Sequence, residues 1–254
     1  MQTMNPALTA SIASACLFAA VWLGIRLRRL LPAHHLSADT KDTVKLAMGL
    51  VATMSALLLG LLVSAAKGDY DTGRNEVIQM AAKISFLDRI LAVYGPESAD
   101  ARTKFRAAVE LTIQNMWPGE GKPSAPRISN QQATHAVYLA IQNLTPRDDM
   151  QRDLKAQAAK LAIELAETRA LLLAQSVTAI SKPMLIMVVC WLVVIFLSFS
   201  VLAPSNATAN LALLISTISV SGAVFLILEL AQPFGGLIQI SKQPMLNALS
   251  LLGQ

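Results

Sequence analysis

Two short segments carry side chains of the types that bind metal ions. Segment 69–73, DYDTG, resembles the opening of a calcium-binding loop, in which alternate carboxylates coordinate the ion. Gly73 stands one position early for such a loop, and Met80 occupies the twelfth position, which requires a bidentate glutamate. His34 and His35 could ligate a transition metal, but no third ligand follows at a suitable spacing. The sequence therefore predicts no metal site and no cofactor.

The chain also lacks a recognisable catalytic arrangement. His135 stands alone on a short predicted helix, and no phosphate-binding glycine loop, nucleophile elbow or HExxH motif occurs. The net charge of +5 is not gathered into a basic tract interleaved with aromatic residues, which a nucleic-acid-binding surface would show. We therefore expect a protein that is not an enzyme, has no catalytic residues and has no nucleic-acid partner.

One acidic side chain stands at the boundary of a long apolar segment. Glu229 precedes Pro233, Phe234 and Gly235, and the proline and the following glycine pair predict a helix end and a sharp turn. A carboxylate in such a place needs water, a cation or a hydrogen-bond donor. Two interpretations stay open: a solvated group at the membrane interface, or part of a gating or structural motif formed by these four residues.

Small residues recur at every fourth position of another apolar segment. Such a stripe lets helices approach closely in lipid, because dispersion contacts replace the missing hydrophobic driving force. The stripe predicts either a tight helix contact within the chain or a face that lines a subunit interface or a narrow pore. Lysines near both ends could attract anions electrostatically. The full candidate face comprises Lys45, Ala52, Thr53, Ala56, Gly60, Ser64 and Lys67.

Four long segments without Asp, Glu, Lys or Arg must position these residues. They cover 7–25, 46–66, 184–203 and 211–228. Their lengths approach the roughly 20 residues that a helix needs to cross the bilayer core. Between the two pairs, residues 67–182 carry 15 Lys and Arg and 13 Asp and Glu. The sequence predicts an all-α integral membrane protein with a first transmembrane pair in 1–66, a helical extramembrane body in 67–182, a second pair in 183–231 and an amphipathic tail in 232–254.

The charged body shows helical periodicity throughout. Helices are predicted over 74–94, 97–117 and 130–144, with a proline- and glycine-rich loop at 118–126, and Thr145 is predicted to cap a fourth helix. The first and fourth should continue spans two and three. A short helix at 244–252 should lie on the membrane or on the body. The fourth helix carries a seam that predicts intrachain packing or an oligomeric coiled contact: Leu154, Ala158, Leu161, Leu165, Thr168, Leu172, Gln175 and Ala179.

Three stretches of sequence resemble the bestrophin-like family of bacterial membrane proteins. They are RLRRLLPAHHLSADTKDTVKLAMGLVATMSALLLGLLVSAAK (26–67), FLDRILAVYGPESADAR (86–102) and LELAQPFGGLIQISKQPMLNAL (228–249). The family is distantly similar to bestrophins, which are pentameric anion channels with four spans per subunit. The resemblance implies a homo-oligomer, with a pentamer favoured, among the lipids of the bacterial inner membrane. Bestrophins activated by calcium have acidic residues after the Pro-Phe-Gly motif, but residues 230–254 contain none, so calcium control is not implied.

Two functions and two orientations stay open at this stage. The protein is either an ion channel, conducting anions through a pore lined by span two, or a non-conducting scaffold or sensor whose body binds a partner protein. Segment 26–45 holds five basic residues, which places it in the cytoplasm and the body outside. The resemblance instead implies a cytoplasmic body, and this is the orientation that we expect.

Overall fold

The computed structural model describes residues 6–30, 32, 38–117, 127–175, 182–204 and 206–253. Within these ranges the chain is all-α and contains no strand. The helices are α1 (Pro6–Arg28), α2 (Ala38–Tyr94), α3 (Ala99–Met116), α4 (Arg127–Gln142), α5 (Asp149–Gln175), α6 (Lys182–Leu202), α7 (Ala207–Leu230) and α8 (Gln243–Leu251), with a 3-10 turn at Pro96–Ser98. The pair His34 and His35, the predicted loop 118–126 and Ala179 lie outside the described residues.

Four of these helices are long and apolar enough to cross a membrane: α1, α2, α6 and α7. They coincide with the four uncharged segments, so the predicted all-α fold with four spans is confirmed. Helix α7 begins at an Asn206 cap, whose side-chain Oδ1 accepts a hydrogen bond of 2.8 Å from the Ala209 N–H. This contact satisfies one of the backbone donors that a helix start leaves without a partner.

Helix α2 is a single 57-residue helix that contains span two and the first predicted body helix. The expectation that these two segments form one helix is therefore confirmed. Segment 69–73 lies inside this helix, so its two carboxylates do not stand on a loop of the calcium-binding type. The helix ends at Gly95, which has a φ of 121°, and Pro96 opens the next turn. The link between α5 and α6 includes residues 176–181, which are outside the described ranges.

The first of two compact units contains the membrane helices, with described residues from Met1–Tyr70, Thr178–Gln232 and Gly236–Ile238. Gly24 allows α1 to approach α6 closely, because a Cβ at that position would lie 2.5 Å from Ser200 Cβ and 2.9 Å from the Leu197 carbonyl oxygen. The buried centre of this unit comprises Leu17, Leu62, Val188, Leu192, Phe196, Val224 and Ile227, among others.

The second unit is the helical body, with described residues from Asp71–Val177, Pro233–Gly235 and Gln239–Gln254. Asp88 on α2 pairs with Arg102 on α3 through two hydrogen bonds of 2.8 and 2.9 Å. The C-terminal segment packs on this body: the Arg106 guanidinium donates to the Leu252 carbonyl at 2.8 Å, and the Trp117 indole donates to the Ile240 carbonyl at 2.8 Å. Of the two surfaces expected for the tail helix, the body is the one that it contacts.

Helix α5 begins later than the sequence predicts. Thr145 and Pro146 are not helical, and the helix starts at Asp149. The cap is Asp148, whose carboxylate accepts the Gln151 N–H at 2.7 Å, while the Gln151 side chain accepts the Arg147 N–H at 2.9 Å. This reciprocal arrangement satisfies two backbone donors, and an isolated threonine cap would satisfy one. The prediction of Thr145 as the cap is therefore wrong.

The α5 seam faces the interior of the body. Ala158 and Leu172 are buried, and Leu161 and Leu165 are partly buried. This packing within one chain corresponds to the first of the two interpretations of the seam. The division of the chain into the four segments 1–66, 67–182, 183–231 and 232–254 stays a prediction.

Candidate pore face and the span-four motif

The apolar part of α2 is the least covered of the four candidate spans. Only 11% of its residues are buried within the chain, against 28% in each of α1, α6 and α7. Its buried side is formed by Ser55, Leu62 and Ala66. Since successive residues on a helix are about 100° apart, the side opposite these three is a continuous exposed face. We call this set the α2 outer face: Leu46, Thr53, Leu57, Gly60, Ser64 and Lys67.

The α2 outer face and the small-residue stripe, which consists of Ala52, Ala56, Gly60 and Ser64, are not the same set of residues. A step of four residues turns a helix by about 400°, so a row with that spacing drifts by about 40° at each step. Ala52 accordingly lies at the half-buried edge, whereas Ala56, Gly60 and Ser64 are exposed. A Cβ placed on Gly60 would meet no atom of the chain within 4 Å. The contact within the chain, which was one interpretation of the stripe, is therefore not made at Gly60.

The α2 outer face carries both large apolar side chains and small or weakly polar ones. Leu46 and Leu57 are 79% and 72% exposed. The Thr53 hydroxyl lies between them along the helix and donates to the Gly49 carbonyl at 2.9 Å. This bond satisfies the hydroxyl donor, while the oxygen keeps a lone pair that can face water. The face thus offers apolar positions separated by small and weakly polar ones.

The two lysines at the ends of the candidate face have local partners. Lys45 forms an exposed ion pair of 3.3 Å with Asp42, three residues earlier. The Lys67 ammonium lies 5.4 Å from the centre of the Tyr70 ring, in a cation–π contact. Asp42 offsets part of the positive field of Lys45.

Glu229 is buried, with 2% of its surface exposed. One carboxylate oxygen, Oε2, accepts the Leu237 N–H at 2.6 Å and the more distant Ile238 N–H at 3.4 Å. Gly236 lies beside this carboxylate with a φ of 77°, and a Cβ there would clash with Oε2. This burial does not fit a solvated group at the membrane interface, which was one of the two interpretations of Glu229. The hydrogen-bond donors to its carboxylate are backbone N–H groups of the following turn.

The other residues of the motif make contacts of their own in the body. Phe234 packs edge-on against Trp117, with ring centroids 5.4 Å apart. The Pro233 carbonyl accepts the Ile240 N–H at 2.7 Å. Gly235 belongs to the same short segment. The motif therefore makes structural contacts with nearby residues, and its role in gating stays a prediction.

Two features escaped the sequence-based predictions. Gly24 forms a tight contact between membrane helices, whereas one interpretation of the sequence placed such a contact at Gly60. An isolated glycine in an apolar helix does not indicate which residue it will face. Arg169 lines a cavity in the body. The sequence places Arg169 directly after Thr168, one of the residues of the predicted α5 seam.

The comparisons with known proteins agree with this architecture. The family model of the Bestrophin-like domain matches residues 15–245. The chain belongs to the Bestrophin-like family. Two crystal structures of a bacterial bestrophin homologue from Klebsiella pneumoniae, each with a different mutation, are 13% identical to it with a TM-score of 0.68. Each match covers 94% of this chain and 99% of that chain.

A third solved structure, a crystal structure described as that of a membrane protein, matches with a TM-score of 0.64 at 13% identity. That match covers 94% of this chain and 98% of that one. No curated protein matches the sequence. At this identity the structural likeness establishes the fold of this Bestrophin-like chain, which is an all-helical membrane protein with four candidate spans.

Proposed function

We propose that this Bestrophin-like protein is a homo-oligomeric ion channel whose pore is lined by span two. The observation that carries the proposal is the α2 outer face, which the other described residues leave uncovered although it includes Thr53, Gly60 and Ser64. A face in contact with lipid alone has no need of small and polar residues at these positions. Around an oligomer axis, the same residues line a narrow path.

The presence of both leucines and small or hydroxyl-bearing residues on this face suits a gated ion path. Rings of leucine, such as Leu46 and Leu57 from every subunit, form apolar constrictions that block ions when they dewet. The intervening Thr53 and Ser64 hydroxyls offer oxygen atoms to water and ions. Ala52 and Ala56, at the edge of the face, allow adjacent copies of α2 to approach each other closely.

We propose anions as the conducted species, in an assembly for which a pentamer is favoured. Lys45 and Lys67 stand near the two ends of the candidate face, where rings of ammonium groups raise the local anion concentration. The proposed location is the bacterial inner membrane, among its lipids, with the body and both termini on the cytoplasmic side.

Glu229, Pro233, Phe234 and Gly235 are proposed to fix the chain after span four. The buried Glu229 carboxylate binds the backbone of the turn, and this bond holds the end of α7 in one conformation. A change of conformation there would break the 2.6 Å hydrogen bond between the Leu237 N–H and the Glu229 carboxylate, which contributes about 1 kcal/mol or more. The motif is therefore suited to hold one state of a gate.

Reconstitution into planar bilayers tests the channel. We expect unitary currents, with a reversal potential near that of chloride when potassium chloride is tenfold more concentrated on one side. The Thr53→Glu variant places a ring of carboxylates on the proposed path and should shift the reversal potential toward that of potassium. Silent bilayers across chloride, nitrate, potassium and sodium gradients, from protein that is folded and inserted, would refute the proposal.

One observation favours a second function, a non-conducting scaffold or sensor whose body binds a partner protein. Within the body, α2 exposes the apolar side chains of Ile78, Phe86 and Val93, at 44%, 54% and 55%. Exposed apolar rows of this kind mark protein interaction surfaces. Recovery of a stoichiometric partner together with silent bilayers would favour this function over conduction.

A further inference from the structure

The helical body contains an apolar cavity of about 60 Å³ among four of its helices. A single water molecule occupies about 10–15 Å³, so the cavity has room for a short alkyl chain. Its apolar walls favour an apolar guest over water. The walls come from α2 (Met80, Ile84), α3 (Phe105, Ala108, Val109, Thr112), α4 (Thr134, Val137) and α5 (Ala162, Leu165, Ala166, Arg169).

Arg169 is the charged residue among these walls. Its guanidinium Nη1 donates to the Thr134 hydroxyl at 2.8 Å. Burial lowers the pKa of Arg169, which means that its charge is held in a partly desolvated position. A desolvated guanidinium binds an anion more strongly than one in bulk water does, because the local dielectric constant is lower.

A second, wider cavity of about 510 Å³ adjoins the first. The two share four lining residues on α4 and α5, namely Thr134, Ala162, Ala166 and Arg169. The walls of the wider cavity also include the polar residues Gln131, His135, Tyr138 and Glu167. The pair of cavities therefore forms two mainly apolar compartments, and Arg169, which lines both, supplies a positive charge at their boundary.

We infer that this paired cavity binds a short-chain monocarboxylate, with its alkyl chain in the inner compartment and its carboxylate on Arg169. The planar guanidinium presents parallel N–H donors that match the two oxygens of a carboxylate. Thr134 holds the guanidinium at the boundary. Glu167 adds a negative charge to the outer walls, which disfavours dianions and polyphosphates. The site is independent of whether the protein conducts ions.

Titration calorimetry on the purified full-length protein tests the site, with acetate, propionate, butyrate and valerate at constant ionic strength. Each added methylene should tighten binding by about fourfold until the inner compartment is filled, because each buries further apolar surface. Butyl alcohol and butylammonium lack the carboxylate and should bind at least about tenfold more weakly than butyrate. Equal affinity for butyrate and butylammonium would overturn the inference.

Three variants locate the binding. Arg169→Met should weaken butyrate binding by at least about tenfold, because the charged donor is lost. Ala162→Leu fills the boundary between the compartments and should also abolish binding, whereas Ala156→Leu, on an exposed position of the same helix, should leave it unchanged. Circular dichroism and thermal unfolding verify folding, and if Arg169→Met does not fold, the Ala162→Leu and Ala156→Leu pair decides. Butyrate affinity unchanged in folded Ala162→Leu would overturn the site.

Discussion

Two glycines of the membrane helices have opposite surroundings, although sequence patterns do not distinguish them. Gly24 faces the backbone and side chain of Ser200 at a distance that leaves no room for a methyl group. Gly60 faces no atom of its own chain within 4 Å. Small residues in membrane helices serve close approach, and Gly24 has its partner within the chain, whereas the described residues provide none for Gly60.

Substitution by alanine should separate these two roles. Gly24→Ala should lower the free energy of unfolding by about 1–3 kcal/mol, because the added methyl group overpacks the α1–α6 contact. Gly60→Ala should leave it unchanged or raise it by up to about 1 kcal/mol, because alanine is the better helix former and no described residue is overpacked. Unfolding by a denaturing detergent, followed by circular dichroism at protein concentrations that favour monomers, measures both values. Equal losses for the two variants would contradict the assignment.

Among the structural elements, α2 is where prediction from sequence succeeded furthest. The four spans depend on local composition, and the continuation of span two into the body is inferred from the short interval between the uncharged segment 46–66 and the periodic helix predicted over 74–94. Both predictions depend on short stretches of the chain, so the sequence alone is enough to make them. The uncovered face of the helix depends on which neighbours pack against it, and a single sequence does not contain that information.

At other positions, too, the outcome depends on contacts between residues that a single sequence does not specify. The cap of α5 fell at Asp148 because a reciprocal contact with Gln151 outweighs a lone threonine. Arg169 lines a cavity because three other helices meet it there. Glu229 could be singled out from its place beside an apolar segment, but its backbone partners at Leu237 and Ile238 depend on the turn that follows.

The proposed role of the α2 outer face predicts which cysteines a water-borne reagent can reach. Cys16 and Cys190 are exposed in the chain and are first replaced by alanine. In that background, Thr53→Cys should react with a membrane-impermeant thiol reagent, because the proposed path is wet. Ile12→Cys should not react, since Ile12 is also exposed, at 51%, but lies on α1 and is expected to face lipid.

A buried position on α2 provides a control for this labelling experiment. Ser55 is 2% exposed, so Ser55→Cys should be protected whether or not a pore exists. Labelling is measured as the mass increase of the protein in intact membranes. Equal protection at positions 53 and 12 would show that the outer face is as dry as the lipid-facing surface of α1.

For the whole molecule, the described helices and the family membership support an all-helical membrane protein with two units. Among the described residues, the α2 outer face and the apolar row Ile78, Phe86 and Val93 are uncovered. Association of identical copies would bury such surfaces, and a ring does so while it leaves a central path. We therefore expect copies of α2 to surround an aqueous axis.

Single-particle electron microscopy of the purified protein in lipid nanodiscs tests this claim most directly. We predict a ring of identical subunits, with five favoured, in which Thr53, Leu57 and Gly60 of every copy face a continuous path along the axis. A monomer, a dimer, a ring plugged by lipid or a ring whose α2 outer face is turned toward the membrane would contradict it.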